Sequence, residues 1–184
     1  MHDFYDNEEL LALARFDLSR DRPDEALWKL KKLIDAAEPS PDAVVVAARL
    51  YAQLGLVDRA QGLFKRYLEL RPGSMQETFE LGMTHFDKNE LAPAQARWEA
   101  VLNALPTHPP ALYYLSLLSA REGRAAEARR TLDILLKSAP ADNLYVGRSR
   151  ELLKSLDESG PGFSVPATES PVQISLSRTY GNEH

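Results

Sequence analysis

The sequence predicts an all-α, right-handed solenoid of four helical hairpins, with a capping helix at the C-terminal end and a flexible tail beyond it. Three observations carry this. Ala26, Ala60, Ala94 and Ala128 stand 34 residues apart each time, and a fixed period of that length marks a stacked two-helix unit. Other columns keep the same register: small residues at Ala14, Ala48, Gly82 and Ser116, and large apolar ones at Leu30, Phe64, Trp98 and Leu132 and at Leu33, Tyr67, Val101 and Leu135. Prolines close three units at Pro72, Pro106 and Pro140. The small residue lets the two helices of a hairpin approach, the alanine sits at their crossing, and the bulky column wedges between neighbouring units. Proline after a second helix stops it and turns the chain into the next unit.

Taken in order, the units span about 7–40, 41–74, 75–108 and 109–142, and a capping helix covers 143–156. Residues 1–156 thus form one solenoid and 157–184 a tail. The helix pairs are expected at 7–20 and 23–37, 41–54 and 57–70, 75–88 and 91–104, and 109–122 and 125–138. Pro23, Pro41 and Pro109 fall at helix starts, where a missing amide hydrogen costs nothing. Gly55 and Gly123 fall at turns within hairpins, where glycine adopts a left-handed backbone cheaply. In the capping helix Tyr145, Leu152 and Leu156 should face the last unit, with Arg148, Glu151 and Lys154 in water. After Asp157 the run Ser159-Gly160-Pro161-Gly162, with Pro166 and Pro171 to follow, breaks the helix and predicts a flexible tail. Val172, Ile174 and Leu176 alternate with polar residues there and fit a short extended edge.

These columns resemble the tetratricopeptide-repeat family. The second unit matches best, with Ala48, Tyr51, Gly55, Ala60, Phe64 and Pro72, and the third carries Leu81, Gly82, Ala94, Trp98 and Pro106. The fourth keeps Leu115, Ala128 and Pro140 but has Ser116 and Ser119 where the family prefers glycine and tyrosine. The first is weakest, with Asp17 in the tyrosine column and Glu38 in the proline column. A terminal unit has a neighbour on one side only, so weakness there is expected. The resemblance implies a non-catalytic scaffold or adaptor that binds a peptide or helix of a partner protein in a concave groove. A dedicated chaperone or assembly factor for a secreted or assembling subunit is the alternative, and a self-associating scaffold another.

On that reading the first helix of each unit lines the groove. The inward columns hold Leu11, Val45, Phe79 and Tyr113; Arg15, Arg49, Met83 and Leu117; and Val46, Glu80 and Tyr114, with Phe86 deeper along its helix. Phe79, Met83, Phe86, Tyr113, Tyr114 and Leu117 would form an exposed apolar patch on two adjacent units, and such patches mark interaction sites. Arg15 and Arg49 would add a cationic shelf. A subset of the family grips the acidic C-termini of heat-shock chaperones with lysines and asparagines in these columns. Here the corresponding residues are Leu11, Arg15, Val46, Gln76 and Glu80, so that clamp is not expected and an apolar segment is the better ligand.

Charge and composition narrow the remaining classes. A net charge of −5 argues against binding nucleic acid through phosphate contacts. Without cysteine there is no disulfide framework and no thiolate metal site. Residues 1–6 offer neither a basic start nor an apolar run, and no stretch spans a bilayer, so a cytoplasmic protein without membrane insertion is expected. The four histidines, His2, His85, His108 and His184, are scattered, and no phosphate loop, dinucleotide fingerprint or nucleophile elbow is present. Neither catalysis nor a cofactor or metal is expected. Residues 1–25 carry eight acidic and three basic side chains, and residues 121–154 carry eight basic and five acidic. That asymmetry raises head-to-tail self-association as an expectation.

Overall fold

The computed structural model describes residues 5–158. Helix α1 (Asn7–Ser19) begins at a reciprocal cap: the Glu9 amide donates to Asp6 Oδ1 at 2.8 Å, and the Asp6 amide donates to Glu9 Oε2 at 3.0 Å. Two amides that the first turn leaves without backbone acceptors are satisfied this way. Helices α2 (Pro23–Ile34), α3 (Pro41–Gln53) and α7 (Pro109–Arg121) open on the prolines that the sequence places at helix starts. The others are α4 (Val57–Leu70), α5 (Met75–Asp87), α6 (Leu91–Ala104), α8 (Ala125–Ser138) and α9 (Leu144–Glu158). Among the described residues there is no strand.

Two helix ends depart from expectation by more than one residue. α2 stops at Ile34 instead of 37, and Arg66 of α4 donates to the Ile34 carbonyl at 2.8 Å. The carbonyl that another turn would engage is thus held by a side chain of the next hairpin. α9 runs to Glu158, two residues past its expected end. The tail segment with Val172, Ile174 and Leu176 lies outside the described residues.

The turns within hairpins obey one rule that the glycines alone did not reveal. Gly55 and Gly123 have φ of 72° and 77°, and Asp21 and Asn89, in the same column, have φ of 55° and 58°. The Leu56 amide donates to the Tyr51 carbonyl at 2.8 Å and the Gly55 amide to the Ala52 carbonyl at 3.0 Å, which closes α3. Arg124 and Gly123 repeat this after α7, donating to Ser119 and Ala120.

The described helices fall into two compact units, α1–α5 and α6–α9, divided after Lys88. In the first, α1 packs on α2, α2 on α3, α3 on α4 and α4 on α5. In the second, α6 packs on α7 and α7 on α8, while α9 lies against both α7 and α8. The four ladder alanines are fully buried, as are Ala14, Ala48 and Ser116 in the facing small column and Leu30, Trp98 and Leu132 in the bulky one. Asp17, Tyr51, His85 and Ser119 share one column and are all buried, although only one is the tyrosine the family prefers. Asp17 keeps its charge there by pairing with Lys29 and, at 2.5 Å, with Arg22. His85 is held at its Nδ1 by the Gln61 amide of α4 at 3.0 Å.

Candidate partner-binding surface

The residues expected to line the groove divide by chemistry once they are placed. Leu11, Val45 and Val46 are buried, and Leu11 and Val46 belong to one hydrophobic cluster with Leu30, Leu33 and Leu50. On α5, Phe79, Met83 and Phe86 are buried; on α7, so are Tyr113, Tyr114 and Leu117. The exposed apolar patch expected on these six is therefore absent: each is less than a tenth exposed. For the α7 residues the physical reason is a stack of rings. Tyr114 meets Trp98 of α6 at 5.2 Å between centroids, and Tyr145 of α9 reaches Tyr113 at 5.6 Å and Tyr114 at 6.2 Å. Offset and edge contacts at these separations are favourable and shed water from the rings.

The two arginines of the expected cationic shelf have different fates. Arg15 stays exposed and approaches Asp42 at 3.7 Å. Arg49 is mostly buried between α3 and α5, where its Nε donates to both oxygens of Glu80, at 3.2 and 2.9 Å, and its Nη2 to Glu77 at 2.9 Å. Gln76 adds a second donor to Glu80 at 2.9 Å. Arg49 is thus a charge already matched by its own chain. Burial pushes the Glu80 carboxyl above the ordinary glutamate range, although Arg49 and Gln76 pull the other way. A carboxylate desolvated beside a specific cation is a recurring property of functional sites and of structural ion pairs alike. Sequence reasoning placed Arg49 and Glu80 on the same face but missed Glu77. Its position three residues before Glu80 was the available signal.

The capping helix departs from expectation in one side chain. Val146, Leu152 and Leu156 are buried and Glu151 and Lys154 exposed, but Arg148 does not simply face water. Its guanidinium lies 5.8 Å from the Tyr145 ring centroid, and its Nη1 is buried with no hydrogen-bond partner among the described residues. Tyr113, at the same end of α7, has its phenol pushed up by burial, with Arg148, Glu151 and Arg121 as the charges it senses.

Much of the basic C-terminal charge is engaged locally. Arg124 pairs with Glu122 and with Glu127, Arg129 with Asp157 at 2.8 Å, and Lys137 with Asp133 at 2.5 Å. Among the described residues no group of three histidines, cysteines or carboxylates could hold a metal ion, and no helix is long and apolar enough to cross a membrane. His108, between the helices expected at 91–104 and 109–122, caps α7: the Ala111 amide donates to its Nδ1 at 3.2 Å. Burial holds the His108 imidazole below the usual histidine range, which keeps it a neutral acceptor.

Comparison with known proteins gives the same picture. The family model described as tetratricopeptide repeat matches residues 11–74 and 79–143. Cellulose synthase operon protein C of Pseudomonas fluorescens (strain SBW25) is 30% identical over 123 residues, which are 60% of this chain and 9% of that protein. The chain therefore spans less than a tenth of that relative's length. Among solved structures, residues 41 to the end of MamA from Desulfovibrio magneticus RS-1 superpose with a TM-score of 0.69 at 22% identity, covering 83% of this chain and 89% of that one. YrrB, described as a TPR protein with an unusual peptide-binding site, superposes with a TM-score of 0.69 at 19% identity, over 79% of this chain and 74% of its own. At these identities the structural likeness is one of fold.

Proposed function

Because this chain belongs to the tetratricopeptide-repeat family, we propose that it is a non-catalytic scaffold that binds a peptide or helix of a partner protein along the first helices of its repeats. The observation that carries the reading is the tetratricopeptide-repeat match over residues 11–74 and 79–143, and the buried cluster of Arg49 with Glu77, Glu80 and Gln76 supports it by fixing the first helices α3 and α5 against each other. Apolar residues would hold α3 and α5 together at less expense, because burying an ion pair rarely adds stability over well-packed hydrophobes. A fixed polar cluster at this junction instead holds the first helices α3 and α5 in one register, and with it the spacing of the side chains they offer a partner. Arg15, exposed on α1, supplies a cation on the same set of helices. Peptide binding by a protein of this fold, as YrrB is described, makes the mode plausible on physical grounds: a rigid helical scaffold presents its side chains with little ordering cost. Head-to-tail self-association has weaker support, since Arg124, Arg129 and Lys137 are engaged by acids of their own chain.

A photo-crosslinking residue tests the reading. Placed at Ala12 or Arg15 on α1, it should capture a defined partner in the native cell. At Lys65, on the exposed face of a second helix, it should not. Equal capture from both faces overturns the assignment to first helices.

A further inference from the structure

Helix α1 exposes two columns of the repeat that the other first helices bury. Val46, Glu80 and Tyr114 share one column, and Leu50, Thr84 and Leu118 share the column four residues on; all six are buried. They lie on α3, α5 and α7, which pack against the second helices before them, α2, α4 and α6. In the first unit these columns hold Ala12 and Phe16. Among the described residues no helix precedes α1, and both side chains are exposed, Phe16 to 50%. A repeat that ends a stack is expected to turn a polar face outward, and Phe16 departs from that. The flanking charges are ordered. Glu8 stands four residues before Ala12, and Arg20, which closes α1, four residues after Phe16. Both are exposed, and neither forms an ion pair among the described residues. The Arg20 guanidinium lies 5.3 Å from the Phe16 ring centroid, and an arginine stacked on a ring keeps its N–H edge for a carboxylate.

We propose that this face of α1 docks on the same face of a second copy of the chain, with the two α1 helices antiparallel about a two-fold axis. The occupant follows from self-complementarity, which a two-fold contact requires. When Phe16 of each copy lies over the small Ala12 of the other, Glu8 falls opposite Arg20, because each stands four residues further along its helix. One large side chain thus fills the gap beside one small one, and one anion meets one cation, twice over. Parallel helices would instead set Glu8 against Glu8 and Arg20 against Arg20. The contact differs from head-to-tail association, since only the first unit takes part. One helix face per copy lies at the small end of protein interfaces, below about 1,200 Å², so the dimer is weak and forms as the protein is concentrated. At a net charge of −5 each, two copies repel at long range, which offsets the pull of two exposed ion pairs. Association therefore rests on burying Phe16 and is nearly indifferent to salt.

Sedimentation equilibrium of the intact chain, from about 10 µM to about 1 mM protein, tests the dimer. The mass should rise toward two chains across that range, at about 20 mM and about 500 mM salt alike. Phe16→Ala removes the central side chain from an exposed position and should weaken the dimer about tenfold or more. Glu8→Arg and Arg20→Glu each bring like charges together at both ends of the contact, and each alone should stay monomeric where the unchanged chain is dimeric. Mixed in equal amounts, these two variants should associate, because the reversed charge of each meets its complement on the other. A mass of one chain throughout, or association confined to low salt, overturns the proposal. So does a dimer that survives Phe16→Ala unchanged, or a mixture no more associated than either variant alone. The dimer does not rest on the partner-binding reading, and the two fail separately. A chain that captures another protein from α1 yet stays monomeric loses only the dimer. One that dimerises as described yet captures no other protein from Arg15 loses only the partner-binding reading.

Discussion

Asp21, Gly55, Asn89 and Gly123 occupy one column of the repeat, and all four take a left-handed backbone. Glycine does so without strain, whereas a side chain with a Cβ gives up about 1 kcal/mol there, and Asn and Asp recover part of it locally. Nothing lies within 4 Å of a Cβ built on Gly55, so Gly55→Ala should lose about 1 kcal/mol from backbone conformation alone. Asn89→Gly should be neutral or slightly stabilising, and chemical denaturation of both variants checks the pair. Asp17 gives a residue-scale prediction in pH. Its carboxyl is held below the ordinary aspartate range, first by the hydrogen bond from Lys29 and then by the charges of Lys29 and Arg22, against the opposing effect of burial. The folded state therefore binds this proton less readily than the unfolded chain. The stability it confers is present above about pH 4 and lost as the pH falls through the folded value. Asp17→Asn should lower the melting temperature at pH 7 and flatten its dependence on pH below 4.

At the scale of elements, hairpins are set by small residues and fixed by a few polar contacts. Ala60 is fully buried where α4 crosses α3. Ala60→Leu should overpack that crossing and lose about 1–3 kcal/mol, measurable by urea unfolding. The Arg49 cluster makes a sharper demand. Arg49→Met strands Glu80 in its buried position and should destabilise by about 3 kcal/mol or more, whereas replacing Arg49, Glu77 and Glu80 together by apolar residues should recover most of that loss. A triple variant as unstable as the single one would show that the network contributes more than charge matching. The cap of α7 follows the same logic, since a neutral His108 accepts from the Ala111 amide only while unprotonated. With its folded value held below 6.5, this contribution is complete above about pH 6.5 and is lost on acidification.

For the whole molecule, the question is whether its charge asymmetry drives association. The acidic and basic ends are real in the sequence, yet much of the basic end is paired within its own chain. Exposed pairs of this kind contribute about 0–1 kcal/mol each and are screened by salt. Sedimentation at about 20 mM and about 500 mM salt, where the screening length changes severalfold, should give the same species. Growth of the sedimentation coefficient at low salt would restore head-to-tail contact as a working mode.

The repeat register, the helices and two of the four left-handed turns were legible in the sequence because each depends on neighbours in the chain. Helical periodicity, proline at a helix start and glycine at a turn act within a few residues. The alanine ladder reads across units because every unit solves the same packing problem. Asp21 and Asn89 escaped notice because a residue with a Cβ does not advertise a left-handed backbone, although their column did. Exposure was the property that only the tertiary structure decided. Phe79, Met83 and Tyr113 read as a solvent-facing patch, but whether an apolar side chain meets water depends on what packs over it, as Tyr145 packs on Tyr113. Arg49 read as a free cation until folding brought Glu80, 31 residues away, to 2.9 Å. Arg148 read as a solvated face until α9 docked on α7 and closed water off from its Nη1. Charge pairing and desolvation arise between elements, and a period within the chain carries no record of them.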